Sequence, residues 1–325
     1  MCTSSSEHRY APPGPYCEFD IVTDDLAFPE GPVALPDGSV LVVEIARGQI
    51  TRVDPAGNKT VMARTGGGPN GAAIGPDGAL YVCNNGGFTW ERNDGMLRPT
   101  TQAADYAGGR IERVDLRTGR VDCLYTHCGN KRLNGPNDLV FDRQGGFYFT
   151  DNGKRRRDDI DRGVVYYGRI DGGLIKPVVF PIPFPNGIGL SPAEDRLFVA
   201  ESETGRLWAY PVRAPGELSL LPYPSPNGGH FVHGSAQYQR YDSLKVEEDG
   251  TVCVATLYQG GIRCVTPAGQ ERNFFRLPDR STTNLCFAGR DMRTAWVTLS
   301  SSGRLARLRW PRPGLRLNFQ DRALL

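Results

Sequence analysis

Apolar residues in this chain come in short alternating runs, broken by turns rich in Gly, Pro and Asp, and no segment sustains a helical period. Residues 33–35 make an apolar run, Pro36-Asp37-Gly38 interrupts it, residues 40–44 resume, Gly48 turns the chain and residues 50–54 follow. Proline presets φ for such a turn and glycine takes its positive φ. Pro76-Asp77-Gly78, Arg143-Gln144-Gly145-Gly146, Pro192-Ala193-Glu194-Asp195, Glu248-Asp249-Gly250 and Gly289-Arg290-Asp291 repeat the pattern.

A polar residue opens each unit: Glu30 in FPEGPVAL, Asn70 in GPNGAAIG, Asn137 in GPNDLVFD, Asn186 in FPNGIGLS, Asp242 in RYDSLKVE and Asn284 in TTNLCFAG. A repeat of this length marks a propeller or solenoid. The pattern predicts an all-β six-bladed β-propeller, each blade a four-stranded antiparallel sheet, so that the six polar residues ring one central channel. Residues 18–23 read as a strand that completes blade six and closes the ring, with 315–319 as a competitor for that place. Residues 1–15 read as a disordered tail, and 16–325 as one domain. Three connections exceed a hairpin loop: 86–108, with Phe88, Trp90, Met96 and Tyr106; 153–163, a mixed-charge run read as a solvated loop; and 222–239, with His230, Phe231 and His233.

Composition narrows the function. Lys plus Arg number 38 and Asp plus Glu 36, a net +2 that provides no field for nucleic acid. No apolar run approaches the roughly 20 residues of a spanning helix, and the N-terminus lacks the apolar core of a secretory signal. The eight cysteines show no CxxC pair and read as free thiols in a reducing cytoplasm. The partner these features leave is a small molecule.

Glu30, Asn137, Asn186 and Asp242 offer two carboxylates and two carboxamides, the hard oxygen donors that calcium takes. Their charge of −2 would neutralise one divalent cation, and two acids in one channel repel each other without it. No His or Cys stands at a ring position, which disfavours dedicated zinc. Such a cation polarises a carbonyl or phosphoryl oxygen, and Asp242 could serve as general base.

The ordered segments FPEGP, RLNGPNDLVFD, YFTDNG, FPNGIGLSP and DSLKVEEDGTVCVATLYQGGI resemble the senescence marker protein/gluconolactonase/luciferin-regenerating family over about residues 17–310. The resemblance implies a six-bladed propeller with one catalytic divalent metal, usually Ca²⁺, with Zn²⁺, Mn²⁺ or Mg²⁺ as occupants when supplied. It implies hydrolysis of lactones and, in related branches, of organophosphates. On this resemblance Glu30, Asn137, Asn186 and Asp242 are the metal ligands and Asp242 is also the catalytic base. Arg132 and Asn134 match substrate-contacting residues, and Asn70 and Asn284 face substrate or channel water. His230 and His233 could form a proton shuttle. Asp242-Ser243 departs from the family's usual Asp-Gly, and the long approach to it puts substrate identity more in question than the metal. Three readings stand open: a lactonase, a hydrolase of bulkier aromatic lactones or phosphotriesters, and a propeller that binds without catalysis.

Overall fold

The computed structural model describes residues 15–323, so all of the expected N-terminal tail but Pro15 lies outside the described residues, as does Cys2. Six antiparallel sheets form a six-bladed propeller. The inner strands are Pro29–Ala34, Pro69–Ile74, Pro136–Phe141, Pro185–Leu190, Arg240–Val246 and Thr282–Ala288. Each starts at the end of the channel where the ring residues stand, here called the upper end. Each then runs down to a turn such as Pro36-Asp37-Gly38, where Gly38 takes a φ of +86° and Asp37 Oδ1 accepts from Ser39 N at 3.0 Å.

Every strand of the inner layers is buried on both faces, because adjacent blades pack face to face. Val33, Leu35, Leu41 and Val43 of blade one meet Ala72, Ile74, Leu80 and Val82 of blade two in one apolar cluster. Blade four differs from the expected four strands. Its outer edge is split, with Glu217–Leu218 and His230–Gly234 both pairing with Arg206–Ala214. Part of the long connection before Asp242 is therefore sheet edge.

The ring closes as the pattern implied: Asp20–Thr23 pairs antiparallel with Arg304–Arg309 as the outer strand of blade six. The segment 315–319 does not compete for that edge. It crosses the lower end of the channel, with Leu315 N donating to Val246 O (2.8 Å), Asn318 Nδ2 to Phe141 O (3.0 Å) and Gln320 Nε2 to Phe287 O (3.0 Å). These acceptors lie at or near the far ends of inner strands five, three and six, so the chain end plugs the lower opening. The exit from blade six is pinned by Glu247, which accepts from Trp310 Nε1 (2.7 Å) and Arg312 Nη2 (2.9 Å). Beside it the Cys253 and Cys264 sulfurs lie 3.5 Å apart in the interior of blade five. No helix among the described residues is long and apolar enough to cross a membrane.

The blades touch most closely near the channel, where a glycine follows three of the ring residues. A Cβ on Gly71 would stand 2.5 Å from Asp138 Cα and 2.6 Å from Asn137 O, both backbone atoms of the next blade. Gly71→Ala is expected to force blades two and three apart and cost about 1–3 kcal/mol of stability, as overpacking does. Denaturant unfolding checks this, and an unchanged midpoint would contradict the packing described.

Candidate metal centre

All six ring residues are buried. Each inner strand breaks register at or beside its ring residue, for example between Glu30 and Val33, between Pro136 and Leu139, and between Tyr241 and Leu244. Blades two, four and six break at the equivalent place. A bulge of this kind re-aims a side chain out of the sheet.

Contacts across the channel follow. Asn284 Nδ2 of blade six donates to Glu30 Oε2 of blade one at 2.7 Å. Ser243 Oγ of blade five lies 3.5 Å from Glu30 Oε1. Lys245 Nζ of blade five lies 3.5 Å from Asp138 Oδ2 of blade three and 3.3 Å from Asn284 Oδ1. The Asn186 amide hydrogen-bonds Asp242.

Three carboxylates share this buried space: Glu30, Asp138 and Asp242. Burial and the nearby Asp138 push the Glu30 carboxyl up to about 7, against the pull of Asn284, Gly31 N and Lys245. Burial and Glu30 drive Asp242 well above the carboxylate range, with Asn186 opposing. Burial raises Asp138, and Lys245 counters it. Lys245 is the cation paired with this group. Were all three ionised, the one ammonium would leave two negative charges uncompensated.

The carboxamides divide into two kinds. Both ends of Asn284 are used, by Glu30 on the amide nitrogen and by Lys245 and Leu285 N on the oxygen. It is a prop for Glu30. Asn186 gives its nitrogen to Asp242, and its Oδ1 is buried without a partner among the described residues. Asn137 gives Nδ2 to the oxygen of Asn152 at 3.0 Å, with the Asn152 amide turned to satisfy its neighbours, and Asn137 Oδ1 is likewise buried without a partner among the described residues. Buried acceptors without donors are costly and rare. Asn70 is buried, and its backbone oxygen would lie 2.4 Å from a Cβ on Gly31.

Other expected residues lie away from the ring. Arg132 is exposed on the short strand Lys131–Arg132, its guanidinium against the backbone of Gly108. Asn134 N donates to Asp151 Oδ2 (2.8 Å), and its carbonyl accepts from Tyr106 OH (2.7 Å). His230 is exposed on the split outer edge of blade four. His233 shares a hydrogen bond of 2.7 Å with the Tyr241 hydroxyl and faces a groove whose lining includes Arg263 and Glu271 of blade five. Burial and Arg263 lower its imidazole. The structure does not bring the two histidines to the ring.

Residues 86–108 are a hairpin, Phe88–Asn93 against Met96–Gln102, laid over the upper end of the propeller. Trp90 packs on Phe28 of blade one with ring centroids 5.1 Å apart, and Leu97 N donates to Ser301 O of blade six at 2.9 Å. Lys154 corrects the reading of 153–163 as a solvated run. Its side chain is buried, Nζ donates to Gly87 O (2.8 Å) and lies 4.4 Å from the Phe88 ring. Burial draws its amine down to about 7. Asp138 and Lys245 were not singled out from the sequence, and Ser243 only as a departure from the family's usual Asp-Gly. One signal was available: Asp138 and Ser243 occupy the slot that is Gly31, Gly71 and Gly187 on other blades.

The fold and site define a closed β-propeller with a buried, oxygen-lined acidic centre. The model of the SMP-30/Gluconolactonase/LRE-like region matches residues 28–301, and the chain belongs to that family. It is similar to lactonase drp35 of Staphylococcus haemolyticus, 28% identical over 253 residues covering 77% of this chain and 70% of that protein. It is similar to the gluconolactonase of Zymomonas mobilis, 25% identical over 305 residues covering 86% and 78%. Among solved structures, the calcium-binding protein regucalcin from Agrobacterium tumefaciens shares the fold at TM-score 0.70 and 17% identity, over 93% of this chain and 98% of that one.

A raised carboxyl in the folded state means that the fold holds protons the unfolded chain releases. Stability of the metal-free protein should therefore fall as pH rises from the ordinary carboxylate value to about 7, the value of Glu30. Thermal melts in chelator across pH 5–8 should show that decline in the wild type and a smaller one in Glu30→Gln. A wild-type melting temperature that stays flat or rises across this window relative to Glu30→Gln would contradict it.

Proposed function

We propose that this chain is a metal-dependent lactonase, with Glu30, Asn137, Asn186 and Asp242 holding one divalent cation. The observation that carries the reading is the pair of unpartnered carboxamide oxygens, Asn137 Oδ1 and Asn186 Oδ1, beside carboxylates that repel one another. All four offer oxygen, which favours calcium over softer ions. Membership of a family with gluconolactonase and lactonase relatives supports lactones as the substrate class. When bound, such a cation withdraws electron density from a lactone carbonyl and stabilises the charge that develops on it.

The side chains supply the rest. Asp242 takes the proton of the attacking water, its carboxylate standing buried at the ring beside Asn186. The water oxygen bonds to the acyl carbon, the acyl–oxygen bond of the ring breaks, and the proton passes to the departing ring oxygen. The product is an open hydroxy acid. Asn284 and Gly31 N hold Glu30, and Asn186 holds Asp242. Asn70 faces the substrate from the ring. Arg132 and Asn134, beside the root of the hairpin, border the mouth and orient what enters. The aromatic hairpin shelters the reaction from bulk water, and its apolar face favours the bulkier, less hydroxylated lactones.

Asp242→Asn is expected to lower kcat by about 10²–10⁴, the range a general base contributes. Chelator should abolish turnover of both gluconolactone and dihydrocoumarin, and calcium should restore it ahead of zinc, manganese or magnesium. Turnover that survives chelation, or an Asp242→Asn enzyme as fast as the wild type, would defeat the assignment.

A further inference from the structure

Two residues before each ring residue, the repeat sets a second tier one step nearer the mouth: Phe28, Gly68, Gly135, Phe184, Arg240 and Thr282. Only one of the six is charged. On blades two and three this tier is glycine, and its space is already filled. A Cβ on Gly68 would stand 2.4 Å from Asn85 Oδ1, and one on Gly135 2.3 Å from Gly153 O. On blade one Trp90 covers Phe28. The hairpin, bonded to blade six at Ser301 and to blade three at Lys154, roofs this half of the propeller.

The other half has different chemistry. Arg155 of blade three lies over the Phe184 ring of blade four at 5.4 Å, and Arg240 lies over the Tyr258 ring at 5.7 Å. Between them stands Glu203. One of its oxygens takes Arg155 Nη2, and the other takes Arg240 Nη2 at 2.8 Å. Two guanidinium groups share one carboxylate, so one positive charge is left over. Arg240 Nε is buried and has no acceptor among the described residues. A planar guanidinium held by an aromatic face and a carboxylate is preorganised for a second carboxylate.

We propose that Arg240, seconded by Arg155, is a specificity subsite for an anionic group on the substrate, so that this enzyme prefers lactones bearing a carboxylate. The proposal rests on the lactonase reading above and names the substrate class of that site. Arg240 lies on the same inner strand as Asp242, two residues before it. A carboxylate seated on Arg240 therefore holds the lactone ring toward the catalytic tier.

The test uses two probes, a γ-butyrolactone carrying a carboxylate on the carbon beside the ring oxygen, and the methyl ester of the same compound. The wild type should favour the acid in kcat/KM. Arg240→Met should reduce the acid-over-ester preference about tenfold or more, mainly through KM, the loss expected for a hydrogen bond to a charged group. Arg240→Lys should recover part of it, and Glu203→Gln, which frees both guanidinium groups, should increase it. Turnover of both lactones without preference, or a preference that survives in Arg240→Met, overturns the subsite alone. Turnover of neither by the calcium-loaded wild type overturns the lactonase reading. In that case calorimetric binding of the acid that is lost in Arg240→Met still supports the subsite, and equal binding of acid and ester overturns it.

Discussion

Carboxylates placed together in a low-dielectric channel repel one another, and the upper half of this molecule is organised around that repulsion. Glu30, Asp138 and Asp242 come from three different blades, and each is raised first by its own burial. Left free, their side chains would turn toward water. They stay because Asn284 and Gly31 N bond Glu30, Asn186 bonds Asp242 and Lys245 pairs with Asp138. The residual charge of the fully ionised group is what a divalent cation would match, and the two orphaned amide oxygens would supply neutral donors that add no further repulsion.

Holding that arrangement requires a ring that cannot open. The outer strand of blade six comes from Asp20–Thr23, so the chain that goes on to form blade one is first tied into the sheet of the last blade. Blades then meet at backbone distance beside the ring, where Gly31, Gly71 and Gly187 leave no room for a side chain. The two ends of the channel are treated differently. The lower end is filled by the chain after blade six, which ties down at Val246, Phe141 and Phe287. The upper end carries an aromatic hairpin over one half and two arginines around Glu203 on the other. Such asymmetry would orient a ligand as well as admit it.

Much of this was legible along the chain. The six ring residues and the closing strand all followed from the repeat, because a repeat with one polar residue at a constant place in each unit puts those residues at equivalent radii. Asp138, Ser243 and Lys245 were not legible in the same way. They follow a ring residue or lie within the inner strand itself, and in an isolated strand they read as ordinary members of an alternating pattern. Only the bulge at each ring residue, which shifts the register, turns them toward the channel. Lys154 was hidden for a different reason. It opens a run of charges that is otherwise partly exposed, and its burial depends on the hairpin folded over it from another blade. His230 and His233 mislead in the opposite sense, being near Asp242 in sequence but on an outer edge in space.

By itself the amino-acid sequence determined the strand pattern, the turns, the number of blades and the presence of oxygen donors at one place in each repeat. These depend on local periodicity, backbone preference and side-chain chemistry, all of which act between near neighbours. The tertiary structure alone decided which amide oxygens are left without donors, which third carboxylate joins the first two, which end of the channel is plugged and which cations border the open one. Those depend on side chains from different blades meeting across the axis, and the distances that set their interaction exist only once the ring has closed.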